Sequence, residues 1–334
     1  MKSPITGKEM SIQKEARTLE FRKESFPVMF HYYLCADSKE QFTSTELDEI
    51  NMNQIYNQYR DKNNLPFPEE IKQIREMYDL PANKMSEVLG FGANSYRNYE
   101  NGEVPSNSNG KLIQLAADPS KFKQLAEMAE TLEAGIKQKL MQRIEKLIDE
   151  RAHKLFNMEL EHYLLDGKLP DEFSGYKKPD FKKLTEMVVF FAAKMQPWKT
   201  QLNKLLFYSD FLFFKHTCFS MSGVRYRAID MGPVPNNYNS IFEYMANNDD
   251  VDVWQTKFSF ESIGEQFKPH HGRDFNASLF TEQELEVLNT VVNKFKGKKT
   301  NDIIEISHKE KAWQENEKDR KIISYKYAFE LSQI

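Results

Sequence analysis

A chain of 334 residues with 29% charged side chains is long for one core and predicts two or three units, while its net charge of −4 gives no global attraction to nucleic acid or membranes. No apolar run approaches the roughly 18 residues that cross a bilayer, the N-terminus lacks a signal-type apolar segment, and two cysteines, Cys35 and Cys218, exclude a disulfide framework and a four-cysteine zinc site. A cytoplasmic protein is expected. The absence of H-E-x-x-H, G-x-S-x-G, Walker and dinucleotide patterns gives no reason to expect an enzyme or a cofactor.

Residues 1–64 open on S-P-I-T-G-K-E-M and reach F-H-Y-Y-L-C-A-D-S between Phe30 and Ser38. Short alternating segments with few helix signals predict a small β module. Residues 65–120 change to short helices, with stripes at Ile71, Ile74 and Tyr78, at Met85, Val88 and Leu89, and at Tyr96 and Tyr99. Gly90 and Gly102 close the second and third, which together predict a helix-turn-helix. With Tyr96 and Tyr99 facing the core, Asn94, Ser95, Arg97 and Asn98 fall on the outer face, where amide and guanidinium groups can bond adenine, guanine or phosphate. This segment holds five Lys or Arg against eight Asp or Glu, so DNA binding is expected to be weak per module or to depend on dimerisation.

Residues 121–170 read as a helical connector. Leu125, Met128, Leu132, Ile136, Leu140, Ile144 and Leu147 recur about every 3.67 residues, the period of a straight amphipathic helix that packs within the chain or on a twin subunit. Gly135 marks a bend or close crossing inside it. Gly167 to Pro179 reads as a linker.

Residues 180–334 predict helices at 181–195, 199–215, 237–246, 282–296 and 301–309, with strands at 224–230 and 251–260. The fold class is therefore mainly α with small β elements. K-L-L-F-Y-S-D-F-L-F-F-K, Lys204 to Lys215, is apolar nearly all round and belongs at the centre of a domain. S-G-V-R-Y-R-A-I-D-M-G-P-V-P-N-N-Y, Ser222 to Tyr238, alternates as a strand with one basic face until Gly232, Pro233 and Pro235 stop it in a stiff turn. This run has the look of a recognition surface, with Arg225, Tyr226, Arg227, Gly232, Pro233, Pro235 and Asn236 as candidate contacts. Arg225 and Arg227 suit acidic groups of a partner or RNA phosphates, or brace the turn through Asp230 or a carbonyl, and one arginine is expected in each role.

The blander clusters read as structure. K-F-K-G-K-K, Lys294 to Lys299, is a solvated helix end. His216, Cys218, His270 and His271 complete no ligand spacing, so no metal is expected. His308 and Glu310, in a Ser-capped helix S-H-K-E before Trp313, read as capping and aromatic packing rather than an acid and base pair.

The segments Lys204–Lys215 and Ser222–Tyr238 together resemble the Panacea domain of antitoxins from bacterial and phage toxin-antitoxin pairs. The resemblance continues through F-T-E-Q-E-L-E-V-L, Phe280 to Leu288, and I-S-H-K-E-K-A-W, Ile306 to Trp313, and covers residues 180–334. L-P-A-N-K-M-S-E-V-L-G-F-G-A-N-S-Y-R-N-Y-E-N-G, Leu80 to Gly102, resembles the Xre/Cro class and, more closely, the DNA-binding half of MqsA-type antitoxins. It departs from them at Asn98, where a basic residue is usual, and at Ala82, where glutamine is common. The N-terminal module resembles the zinc module of the same antitoxins in spacing, with Ser3, Thr6, Cys35 and Ser38 at the ligand positions. One thiol and three hydroxyls do not make a zinc cage, and the module is expected to keep its shape without the ion.

These resemblances imply an antitoxin that neutralises a cognate protein toxin through its C-terminal domain and autoregulates its operon through the helix-turn-helix. The implied partners are the toxin, operator DNA and a second copy of the chain. A prophage or cellular transcription regulator with a C-terminal sensing domain, or a proteolytic adaptor, are the alternatives.

Overall fold

The computed structural model describes residues 1–165, 169–259 and 262–334. It divides into two compact units, Met1–Glu159 and Leu160–Ile334. The fold is mainly α with small β elements, its strands forming sheets of two or three. No described helix is long and apolar enough to cross a membrane.

In the first unit β1 (Ser11–Phe21) and β2 (Glu24–Leu34) form an antiparallel hairpin. Its two-residue turn, Arg22 and Lys23, lies at positive φ, the twist that tight hairpins favour. Arg22 earns this conformation by donating to the carbonyls of Val104 and Pro105, at 2.6 and 3.0 Å. A short β3 (Gln41–Phe42) extends the sheet on β2.

The next element is one that hydrophobic periodicity does not reveal. Helix α1 (Thr45–Lys62) starts at Ser44, whose hydroxyl accepts from Leu47 N, and buries Asn51, Gln54, Asn57 and Arg60 along with Leu47, Ile55 and Tyr59. The amides face the edge of β2. Asn51 exchanges two hydrogen bonds with the backbone of His31, at 2.8 and 2.9 Å, and Gln54 does the same with Met29. Gln58 Nε2 donates to Pro27 O at 2.9 Å. Side-chain amides thus take over where β3 ends, closing a strand edge that would otherwise be open. The β module expected over residues 1–64 therefore contains an 18-residue helix.

Helices α2 (Pro68–Met77), α3 (Ala82–Val88), α4 (Ser95–Glu100), α5 (Asn107–Ala116), α6 (Pro119–Met128) and α7 (Ala134–Leu164) follow. Ile71, Met85, Tyr96, Ile113, Phe122 and Ile144 share one core and are fully buried. Tyr78 stacks on Phe122 with ring centres 4.0 Å apart. Burying each such side chain is worth about 1.5–3 kcal/mol. The stripe from Leu125 to Leu147 is not one helix. It breaks between Met128 and Ala134, which puts Leu132 in a loop and Gly135 in the first turn of α7. Lys137 explains the break: its ammonium caps the end of α6, donating to Glu127 O at 2.7 Å and Ala129 O at 3.1 Å. Because Leu140 and Ile144 join the same core, the start of the connector packs within this unit.

In the second unit the stretch expected to be a linker is folded over residues 169–179; Gly167 lies outside the described residues. Ser174, Tyr176 and Lys177 are buried. Gly175, at φ +62°, is needed for close approach rather than flexibility, since a Cβ there would stand 2.5 Å from Ser220 Cβ. Helices α8 (Phe181–Met195) and α9 (Lys199–Thr217) come next, and α9 buries Leu202, Leu205, Leu206, Phe207, Tyr208 and Phe211 completely. Around it lie β4 (Tyr226–Ile229), β5 (Gly232–Pro235), α10 (Tyr238–Asn247), an antiparallel ribbon of β6 (Val251–Ser259) and β7 (Ser262–Pro269), α11 (Glu282–Phe295), α12 (Thr300–His308), α13 (Lys311–Gln314) and β8 (Ile322–Ile323).

The helices and the two strands expected here agree within a few residues, whereas β5, β7 and β8 were not foreseen. Gly232–Pro235 does not merely stop β4. It returns antiparallel to it, with Tyr226 opposite Pro235 and Ile229 opposite Gly232. The sheet order is β5-β4-β8, so the prolines occupy an edge strand, where missing N–H groups cost little.

Candidate functional site

Most of the run from Ser222 to Asn236 lies inside the second unit, and only its tip at Asp230 and Met231 is fully exposed. Tyr226 is fully buried, and Arg225 is 5% exposed. Arg225 Nη2 donates to Asp171 Oδ2 at 2.9 Å and to Leu169 O at 3.3 Å, so the folded 169–179 segment covers it. Arg227, half-buried, donates through Nε to Asn236 Oδ1 at 3.2 Å and through Nη1 to Arg320 O at 2.7 Å. Asp230 pairs with Arg320 at 3.0 Å instead of with either arginine. Gly232, Pro233 and Pro235 are buried by the hairpin return. Both arginines thus brace their surroundings, Arg225 from the interior and Arg227 with part of its surface exposed. Of the seven candidate contacts only Arg227 and Asn236 keep partial exposure.

Beneath the run, Asp210 of α9 is a buried acceptor. Met221 N and Ser222 N donate to its Oδ1 at 2.8 and 2.7 Å, while Tyr226 Oη and Ser222 Oγ donate to Oδ2. Tyr325 Oη donates to Val224 O at 2.7 Å, and its ring stacks on Phe211 at 4.4 Å. Burial pushes the Asp210 carboxyl up, opposed by the Ser222 and Tyr226 hydrogen bonds, and lifts both tyrosines well above the ordinary phenol range. Such a fully hydrogen-bonded network fixes the shape of this part of the core.

Lys204, further up α9, is the opposite case. It is fully buried, and Nζ has no hydrogen-bond partner among the described residues. Burial pushes its ammonium down to about 7. Gly232, at φ +93°, lies against it: a Cβ there would come within 2.6 Å of Lys204 Cε and 2.5 Å of Ser307 Oγ. Burial, and then the Lys204 charge, lowers His308, whose ring stacks on Trp313 at 3.7 Å. Trp313 Nε1 in turn donates to Ile229 O at 2.8 Å. His308 and Glu310 do not share a Ser-capped helix, for His308 ends α12 and Glu310 caps α13. Glu310 accepts from Tyr208 Oη, Ser332 N and Gln333 N, at 3.2, 2.9 and 3.1 Å. Sequence reasoning singled out neither Lys204 nor Asp210. The available signal was a pair of charges inside a segment apolar nearly all round.

Residues 202–314 match the antitoxin SocA-like Panacea domain. Comparison with curated proteins finds no match. The Panacea match starts in α9 and ends in α13, so it contains Lys204, Asp210, the buried run and the His308–Trp313 stack. The motif residues that resemble the Panacea domain are thus largely those that build its interior.

Outside the Panacea match, the four DNA-facing candidates sit at the start of α4 and along it. Asn94, Arg97 and Asn98 are exposed and Ser95 is half-buried, while Tyr96 and Tyr99 are buried. Tyr96 Oη donates to Ile71 O at 2.7 Å, which fixes how the helix is turned. Arg75 is bidentate to Glu100, at 2.5 and 3.2 Å, and Lys84 pairs with Glu87 at 2.8 Å. Arg97 makes no ion pair among the described residues and is left available on this face.

Ser3, Thr6, Cys35 and Ser38 converge in the first unit. Thr6 Oγ1 lies 3.5 Å from Cys35 Sγ. Hydrogen bonds from Ser3, and then from Ser38 and Thr6, hold the Cys35 thiol down to about 6. One sulfur and three hydroxyls do not fit structural zinc. Cys218 is buried, its thiol pushed up by burial, and His270 pairs with Asp252 at 2.8 Å. Among the described residues no group of three or more His, Cys, Asp or Glu could hold a metal ion.

Proposed function

We propose that this protein is the antitoxin of a toxin-antitoxin pair, neutralising a cognate protein toxin by direct contact through its second unit. The Panacea match over residues 202–314 carries the reading. The first unit presents Asn94, Ser95, Arg97 and Asn98 to operator DNA as a helix-turn-helix. A segment balance of three more acids than bases makes each copy a weak binder, so autoregulation uses a homodimer.

Expression of the adjacent gene alone should arrest growth, and co-expression with this protein should restore it. An adjacent gene without toxicity, together with binding to DNA far from its own locus, would replace this reading by that of a transcription regulator. Rescue that disappears in a strain lacking ATP-dependent proteases would replace direct neutralisation by delivery to proteolysis.

A further inference from the structure

A cleft of about 580 Å³ opens between the end of α8, the first turn of α9 and the α11–α12 turn. Lys194, Lys296, Lys298 and Lys299 ring it, Trp198 and Gln201 form part of its wall, and no Asp or Glu lines it. All four lysines are exposed, and none has an ion-pair partner among the described residues. This concentration stands out against residues 160–334 as a whole, which hold 24 Lys or Arg and 25 Asp or Glu.

The walls are held in place. Gln201 Nε2 donates to Lys298 O at 3.2 Å, Gln266 Nε2 to Gln196 O at 2.9 Å, and Phe267 N to Pro197 O at 2.9 Å. The solvated-helix-end reading of K-F-K-G-K-K accounts for Lys294 and Lys296 at the end of α11. It does not account for Lys298 and Lys299, which crowd the start of α12 where the dipole disfavours cations, or for Lys194 arriving from a different helix. The nearby Asp302 carboxylate accepts from Lys299 N, so it is engaged with the backbone. The free chain therefore keeps four like charges around one concavity, and an anionic occupant relieves their repulsion.

We propose that this cleft docks an acidic segment of a protein partner, its carboxylates meeting the four ammonium groups and an apolar side chain resting on half-exposed Trp198. Ile263, 63% exposed, lines the neighbouring hollow that shares Trp198 and Thr300, which extends the apolar side of the contact. A protein fits better than nucleic acid. The surrounding unit has no net positive field, and the lysines enclose a hollow instead of tracking a line of phosphates. Naming that partner as the toxin rests on the antitoxin reading.

The test uses the full chain, the fourfold variant K194E/K296E/K298E/K299E and a control, K182E/K309E, which reverses exposed lysines outside the cleft. Each is titrated with the adjacent gene product, a short labelled peptide of glutamate and leucine, and a short oligothymidylate. The fourfold variant should lose about tenfold or more in affinity for the gene product and the peptide, with the control unchanged and the oligonucleotide unbound. Should the fourfold variant misfold, K298Q/K299Q carries the same expectation with a smaller loss. Undiminished binding of the peptide and the gene product by the folded variants overturns the proposal, as does lysine-dependent binding of the oligonucleotide alone. Peptide binding that needs the lysines, without any binding of the gene product, would uphold the cleft and reject the antitoxin reading.

Discussion

Lys204 Cε fills the space where Gly232 has no side chain, so a buried ammonium and a left-handed glycine depend on each other. The Lys204 pKa falls to about 7, whereas an unfolded chain keeps an ordinary lysine near about 10.4. Between those values the unfolded state binds the extra proton, so stability rises with pH from about 7 to about 10 and the penalty is constant below 7. Urea unfolding of the second unit should have its midpoint higher at alkaline than at neutral pH. Lys204→Met should flatten that rise and stabilise the neutral-pH protein by on the order of 1–3 kcal/mol. An unchanged pH profile in the variant would mean Lys204 is not the titrating group.

Gly232→Ala should destabilise by about 2 kcal/mol or more, combining positive-φ strain with overlap on Lys204 and Ser307. Lys204→Ala in the same chain should recover part of the loss. Strict additivity of the two changes in thermal unfolding would contradict the contact.

Arg225→Ala should cost about 2–3 kcal/mol, because it removes the partner of Asp171 and opens a buried site. Arg227→Ala, at a half-exposed position, should cost less. Any loss of toxin rescue in the Arg225 variant should therefore track its lower melting temperature. Lost rescue at unchanged stability would return Arg225 to the interface.

Asn94→Ala and Arg97→Ala should weaken operator binding while leaving the unfolding free energy within about 0.5 kcal/mol of the parent, since both side chains are exposed. If Arg97 meets a phosphate, its removal should lower the slope of log affinity against log salt by about 1. Operator shifts that survive both changes would move the reading face elsewhere.

Gln54→Leu should destabilise the first unit by about 1–3 kcal/mol, because Met29 N and O both lose their partner at a closed strand edge. Increased aggregation should accompany it, as an unpaired edge invites strand addition. Gln54→Glu, which keeps the acceptor but not the donor, should also destabilise. Light scattering with chemical unfolding separates these outcomes.

Hydrophobic period made the helices of the second unit legible, because α8, α9 and α11 bury what their spacing says they bury. The same logic turned Tyr96 and Tyr99 inward and so exposed Asn94 and Arg97. Helix α1 was invisible to it, since Asn51, Gln54 and Asn57 are polar residues spent on burial. Arg225 and Tyr226 misled for a related reason. Polar chemistry at a strand reads as surface until its partners are known, and Asp171 and Asp210 stand 54 and 16 positions away in the chain. The four-lysine cleft was half-readable, with three of its cations in one run and the fourth, Lys194, brought by the fold.

The folded 169–179 segment also sets where this protein can be divided. Cutting at residues 202 and 314 would sever Arg225 from Asp171, Glu284 from Lys183, and Val224 O from Tyr325. The stretch recognisable as a domain by its residues is thus shorter than the stretch that folds as one.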